Sequence, residues 1–560
     1  MLALAAALFV VLAWRQSDAF MVWDEEVMVH SMRAPAVLAS EPGPRGAPRM
    51  EPSCADATAP RFVLSSGRPR LGMCARGRLW PLMIAPYFSG IFYWPFGLLA
   101  RWHHDDVLVL RKLALSLGVL SLGLTYALVR RLAGTRTAAV VALALAVSPS
   151  FVFLHAVLVH FETLPWALLC AAGLALTGGG SPAPSMRRLA AAGALLGLSV
   201  LANLKTVVLL GPLALVAWRL RPPTQTPRLR ASQRAALAVA GLAPLVPMVV
   251  VYLLPANGYG DKSSGWARTL AAHLSQPGRL VPSVRDMVLW WSNVGYYFRG
   301  FVAHPRMVPA ALVVAVAALV FALADGARTL LRREGDAITA ACGATLAAYA
   351  LMVALLYEEF PANYTPLHAV FGVTLGVFAA RAGDAATRLA RSRWAGAAVV
   401  ALLLAPFAAS TQQLVETSRA FQLRTNLVTV RAVVAYLRAH PGPAVMTVDP
   451  RLAGVLDATS RGAVRTVQAH NFVQACRPRE GNADAARCLA ERWPALLAMG
   501  TGTWRVVLPR DAARWHSGQL DLGPSLEAAA RAMGREAVVE QTFVTAGGLP
   551  AVALYRVDPR

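Results

Sequence analysis

The stretch "YALVRRLAGTRTAAVVALALAVSPSFVFLHAVLVHFETLPWALLCAAGLAL", residues 126–176, holds the pattern on which the fold turns. An apolar run closes on Arg130 and Arg131, a short connection carries Arg136, and a second apolar run follows. The next connection, "HAVLVHFETLP" (155–165), contains no Lys or Arg, and a third apolar run begins within it. A helix needs about 20 apolar residues to cross the hydrocarbon core, which is the scale of these runs. Arginine in one connection and none in the next assigns the sides, because short cytoplasmic loops hold the basic residues.

The same alternation continues along the chain. Of its 560 residues, 56% are hydrophobic and only 15% are charged, against about 25% charged in a soluble domain. Apolar runs lie near 1–20, 107–129, 137–156, 163–178, 188–203, 205–218, 235–254, 308–324, 338–356, 366–380 and 395–411. Arginines cluster after alternate runs, at Arg187 and Arg188, at Arg219 to Arg234, at Arg328 to Arg333, and at Arg381 to Arg393. The short loop "YEEFPANYTPLH" (357–368), like 155–165, has none. The reading is a polytopic α-helical membrane protein of about eleven spans. Its N-terminus is cytoplasmic, and the loops 21–106 and 255–307 and everything beyond residue 411 are extracytoplasmic. The first run has no basic flank at Met1, so it reads as a span rather than a cleaved signal peptide. The net charge of +24 then matches anionic lipid headgroups better than nucleic acid. The location expected is a bacterial plasma (inner) membrane.

Residues 416–560 change character. Strand-length runs ("AVMTVD", "WRVVLP", "AVVEQTFV", "AVALYRV") alternate with amphipathic helical stretches, which implies a small α/β domain with a largely parallel sheet. The organisation expected is a transmembrane domain over 1–415 and an extracytoplasmic α/β domain over 416–560. No Gly-rich loop follows any of these strands, which argues against a nucleotide site. Cys54 and Cys74 share the first external loop, Cys476 and Cys488 share the α/β domain, and Cys170 and Cys342 fall inside spans. Two external pairs suit disulfides in an oxidising compartment, with the two span cysteines free. The alternative is that all six are thiols behaving as small apolar residues.

Chemistry centres on "FMVWDEEVMV" (20–29), where Asp24, Glu25 and Glu26 follow the first span. Flanking apolar residues hold these carboxylates at the interface, and partial desolvation raises a carboxylate toward the range of a general base. Further along the loop, "RLWPLMIAPYFSGIFYWPFGLLARW" (78–102) is aromatic and too interrupted to span. It is expected to lie along the interface as short amphipathic helices. Lys205 stands between two apolar runs, at their outer ends, with no acidic neighbour in sequence, a costly place for an ammonium group without an anionic ligand. Arg299 in "WWSNVGYYFRGF" is flanked by aromatics that suit sugars or lipid headgroups. His155, His160 and His368 are read as facing outward. His155, His160 and Glu162, near one helix end, are the residues to consider for a divalent metal, but two histidines five apart share a helical face poorly. The expectation is no cofactor.

The order of these parts resembles a known family. A first span is followed by an external Asp-Glu and the "PLM…PY.G" segment. Next come a span that opens with an arginine and closes on "YALVRRLAG", then "LALAVSPSFVF", then an external acidic residue. This resembles the C-type integral membrane glycosyltransferases, in the bacterial branch related to protein O-mannosyltransferases and lipid A aminoarabinose transferases. The resemblance is strongest over residues 1–220. It implies a polyprenyl-phosphate sugar donor used on the outer face of the membrane. Asp24 takes the position of the essential acid, with Glu25 beside it and Glu162 at the second acidic position, where many relatives have Asp. Glu26, Lys205, Arg299, His368 and Tyr87 are the candidates for contact with donor or acceptor. The function implied is an inverting hexosyl- or pentosyltransferase whose acceptor is a lipid, glycan or protein hydroxyl. Two other readings stand beside it, a lipid or solute transporter (flippase) and a non-catalytic envelope assembly protein. No internal repeat or mid-span charge of the kind common in transporters is found.

Overall fold

The computed structural model describes residues 1–17, 39–42, 48–50, 59–64, 71–75, 78–85, 88–95, 107–156, 160–177, 185–219, 230–253, 270–274, 276–293, 308–332, 335–356, 361–420, 427–442, 445–447, 466–468, 491–498, 502–509, 522–544 and 550–559, with a few single positions between 452 and 464. Apolar sequence of helical length folds as helix throughout residues 1–420. In order these helices are α1 (Leu2–Ser17), α2 (Val107–Val147), α3 (Pro149–Ala156), α4 (His160–Thr177), α5 (Met186–Ala202), α6 (Val207–Arg219), α7 (Ala231–Leu242), α8 (Val246–Leu253), α9 (Leu280–Ser292), α10 (Pro309–Arg332), α11 (Ala337–Leu356), α12 (His368–Ala390) and α13 (Arg393–Ala420). Six described stretches are long and apolar enough to cross a membrane: Ala114–Val147, Ala231–Leu253, Pro309–Arg332, Ala337–Leu355, Tyr364–Ala390 and Arg393–Leu414. Leu2–Trp14, Thr163–Thr177 and Leu204–Val216 are shorter apolar helices. Among the described residues this measure gives six, against the eleven spans expected.

Part of the difference lies in α2, which counts once although it is broken at Gly134, where φ is 85°. Only glycine adopts that backbone without strain. Gly118 in the first arm lies against His155, beyond the second arm, so the chain reverses at Gly134. Pro149, which has no N–H to donate, separates α3 from α2. The carbonyl of Val147 left open by that break accepts the Thr411 hydroxyl of α13 at 2.7 Å.

The second arm of α2 packs on α12 with almost no space between the backbones. A Cβ on Gly376 would sit 2.4 Å from the Cα of Val141, and backbone cannot swing aside. Gly376→Val is therefore expected to destabilise the bundle by about 1–3 kcal/mol or more, read as a lowered unfolding temperature in detergent. An unchanged temperature would refute this packing. Several arginines of the loops expected to be cytoplasmic close helix ends. Arg188 donates to Ala175 O at 2.7 and 2.9 Å, and Arg131 donates to Leu174 O. Arg136 pairs with Asp384 at 2.5 Å, and Arg381 pairs with Asp336.

The first external loop holds a sheet where helices were expected. A short hairpin, β1 (Ala39–Pro42) and β2 (Pro48–Met50), precedes β3 (Arg61–Leu64), β4 (Leu71–Ala75), β5 (Arg78–Ala85) and β6 (Phe88–Ser89). The last four form an antiparallel sheet in the order β3-β4-β5-β6. Pro81 and Pro86 bar a regular helix through this segment, and β4 supplies backbone partners that the local sequence lacks. The indole of Trp94 donates to Pro81 O at 2.9 Å, and the Ser89 hydroxyl donates to Leu82 O at 2.6 Å.

Beyond α13 come α14 (Leu427–Ala439), β7 (Val445–Thr447), β8 (Thr466–Gln468), β9 (Trp504–Pro509), α15 (Leu522–Ala532), β10 (Arg535–Val544) and β11 (Pro550–Pro559). Their sheet has the order β10-β11-β9-β7-β8. The pairs β7–β8 and β7–β9 are parallel, while β9–β11 and β10–β11 are antiparallel. The sheet is thus mixed, not largely parallel as expected. The direct β10–β11 connection closes a hairpin, and a hairpin is antiparallel by necessity. One apolar cluster runs from the membrane helices into Val430, Val433 and Leu437 of α14 and on to Phe543 and Val552 of the sheet.

Candidate functional site

Asp24, Glu25, Glu26, Tyr87 and Arg299 lie outside the described residues, as do Cys54, Cys476 and Cys488. His160 and Glu162 fall in the first turn of α4, where the helix N-terminus favours negative charge; their side chains are likewise outside the description. Cys74 of β4 is disulfide-bonded, and Cys170 and Cys342 are free and buried. Among the described residues no group of three or more His, Cys, Asp or Glu converges as a metal site would require.

The end of α1, which leads to the acidic triplet, meets the start of α2. Phe9 faces Gly118 so closely that any Cβ there would overlap its ring. Toward the helix ends, the Lys112 ammonium lies 4.3 Å over the ring of Trp14, an arrangement in which the ring quadrupole attracts the cation. Beside it, Arg111 is fully enclosed, at 0% exposure. A buried guanidinium must be matched by anions or acceptors, which fixes Arg111 in place at this end of α2. Arg111 and Lys112 were not singled out from sequence as candidates for contact with a ligand. The signal was present, as two cations opening an apolar span.

Lys205 sits where α5 gives way to α6. Asn203 leaves the helix in an extended conformation (ψ 119°), and its side chain accepts from the Lys205 N–H, at 3.0 Å. An Asn cap of this kind ends one helix and begins the next, and it presents Lys205 half-buried at the break. Leu204 next to it packs on the cluster of Leu71, Met83, Leu201, Met248 and Val251. That cluster lays the antiparallel sheet of the first external loop onto the ends of α5 and α8, so the sheet stands beside the Lys205 turn.

On the other flank, α9 of the second external loop is folded into the bundle. The Ser283 hydroxyl donates to Ala350 O at 2.8 Å and lies 2.6 Å from the Tyr364 hydroxyl. Asp286 is buried, with the exposed Arg285 guanidinium 3.0 Å from its carboxylate. Trp291 stacks on Phe371 of α12 at 5.0 Å. Asp286 was also not singled out from sequence, because nothing local distinguishes it from a solvated loop acid. His155 and His368, read as lying toward the outer side, are enclosed, at 2% and 0% exposure. Both are packed against Phe151, with ring centres 4.2 and 5.8 Å from it.

No known protein family matches the sequence, and no curated protein matches it. Solved structures do match. The chain is similar to ArnT from Cupriavidus metallidurans in the apo state, with TM-score 0.51 and 15% identity, covering 99% of this chain and 97% of that one. It is also similar to the same protein bound to undecaprenyl phosphate, with TM-score 0.50 and 13% identity over the same shares. An archaeal oligosaccharyltransferase from Archaeoglobus fulgidus matches at TM-score 0.49 and 12% identity, covering 94% of this chain and 70% of that one. The overall fold is that of ArnT from end to end, in keeping with the resemblance carried by the motifs.

Proposed function

We propose that this chain is an inverting glycosyltransferase of the outer membrane face, moving a hexosyl or pentosyl unit from a polyprenyl phosphate to an acceptor hydroxyl. The observation that carries the reading is the whole-chain likeness to ArnT, which was also crystallised with undecaprenyl phosphate. The cations at Arg111, Lys112 and Lys205 suit the same class of donor.

In this mechanism Asp24 takes the proton of the acceptor hydroxyl as its oxygen attacks the anomeric carbon. The bond from that carbon to the phosphate oxygen breaks, the electron pair leaves with the phosphate, and the configuration inverts. Glu25 and Glu26 shape the pocket, and Glu162 at the α4 N-terminus helps to hold the acceptor. Lys205 balances the phosphate charge, which is present before and after transfer. Tyr87 and Arg299 contact the donor or acceptor. Neither a metal nor another cofactor takes part in these steps.

Because Lys205 acts on a charge common to both states, Lys205→Ala should weaken donor binding more than it slows the bound complex. Undecaprenyl phosphate titrated into purified protein in nanodiscs checks this. Equal affinity in wild type and variant would remove Lys205 from the site. The function itself is tested by lipid and glycan profiling of a deletion strain. A polyprenyl-phosphate sugar should accumulate while one envelope sugar disappears, and an unchanged profile of both would defeat the proposal.

The orientation follows from the arginine pattern. Cysteines substituted at Arg221, Arg333 and Arg391 should be shielded from a membrane-impermeant thiol reagent in intact cells, whereas one at Arg560 should react. Labelling at any of the first three would invert the map. Disulfides Cys54–Cys74 and Cys476–Cys488 belong to the same outer side.

A further inference from the structure

Two buried imidazoles outside this mechanism each keep one nitrogen without a partner among the described residues. His155 ends α3 and His368 begins α12, and their ring centres lie 5.4 Å apart. His155 Nδ1 lies 2.8 Å from Phe151 O, and His368 Nδ1 lies 2.9 Å from Thr365 O. A carbonyl can only accept, so both Nδ1 atoms carry the proton and both Nε2 atoms present a lone pair. Both Nε2 atoms are buried with no hydrogen-bond partner among the described residues. An apolar core would not leave two acceptors unmatched without cost. One species that accepts an electron pair from each would match both.

A histidine that ligates a metal commonly donates its other N–H to a backbone carbonyl, which fixes the tautomer and aims the lone pair. Both residues have that arrangement. With metal–nitrogen bonds of about 2.0–2.1 Å, two imidazoles on one ion stand with ring centres roughly 5–6 Å apart. The observed 5.4 Å falls in that range. The rings are also held in place. Phe151 packs on both, Phe9 meets His155 edge-on at 6.0 Å, and Gly118 leaves room for the Phe9 ring and the His155 Cβ.

We propose that His155 and His368 form a two-imidazole site for a transition-metal ion of the copper, zinc or nickel class. Imidazole suits these ions, and copper(II) ranks first among them in affinity. Water fills the remaining coordination positions. The site ties α3 to α12, and it does not depend on the transferase reading.

The full chain, purified in detergent and stripped with chelator, would be titrated with zinc(II) alone and with copper(II) alone. One ion per chain is expected, with a copper(II) paramagnetic resonance spectrum showing two imidazole nitrogens. His155→Gln and His368→Gln should each weaken binding by about 100-fold or more, and His160→Ala should leave it unchanged. Should either glutamine variant misfold, the nitrogen count of the wild-type spectrum still decides. No binding by folded wild-type protein would mean that water alone bridges the pair and would overturn the proposal. Fewer than two nitrogens, or loss of binding only in His160→Ala, would also overturn it.

Discussion

Asp24→Asn should lower turnover by about 10²–10⁴-fold, the usual contribution of a positioned general base. The asparagine keeps the size and hydrogen-bonding capacity of the side chain but cannot take the acceptor's proton. In the proposed mechanism Asp24 takes no part in holding the phosphate, so undecaprenyl phosphate should bind the variant as it binds wild type. Loss of rate with retained affinity identifies a group that acts in the transition state. Transfer at the wild-type rate by a folded Asp24→Asn protein would return Asp24 to the role of a solvated loop residue. The buried Asp286 would then be the next carboxylate to test.

The second large effect is on stability. In the C-terminal sheet, Arg505 of β9 is 9% exposed and forks onto Glu540 of β10, with contacts of 3.1 and 2.7 Å. It also donates to the His440 carbonyl just past the end of α14, and the Tyr436 hydroxyl of α14 donates to Glu540 at 3.2 Å. The register of β10 on β11 shifts between Val539 and Gln541. The extra residue is Glu540, and a bulge of this kind re-aims a side chain. Arg505→Met would leave a buried carboxylate without its cation, at a cost of about 3–5 kcal/mol. A double variant, Arg505→Met with Glu540→Leu, should recover most of that loss, because a well-packed apolar pair commonly replaces a buried ion pair without penalty. Thermal unfolding in detergent distinguishes the two. If the single variant unfolds like wild type, the network contributes nothing.

Much of the helical part of this chain was legible in the sequence. The apolar run 188–203 became α5 at Met186–Ala202, and the run 338–356 became α11 at Ala337–Leu356. A helix satisfies its backbone within a few residues of itself, and a membrane demands length and apolarity that composition displays directly. Lys205 was legible for the same reason, as a charge interrupting an apolar run.

Strands and buried pairs were not legible, because their partners are distant in sequence. Residues 78–85 are aromatic and proline-broken, and they read as interfacial helix until β4 pairs with them as a strand. The direction of the β9–β11 pairing is set by the route of the chain and not by any local propensity. Arg111 is one arginine among many until the tertiary packing encloses it. His155 and His368 stand far apart in the chain and read as outward-facing. Only the packing of α3 against α12 encloses both rings and brings them within reach of each other. The sequence by itself determined the long apolar helices, since these follow from local composition against the bilayer. The tertiary structure alone decided which charges and lone pairs are removed from water together, since burial is a property of neighbours that the chain order does not record.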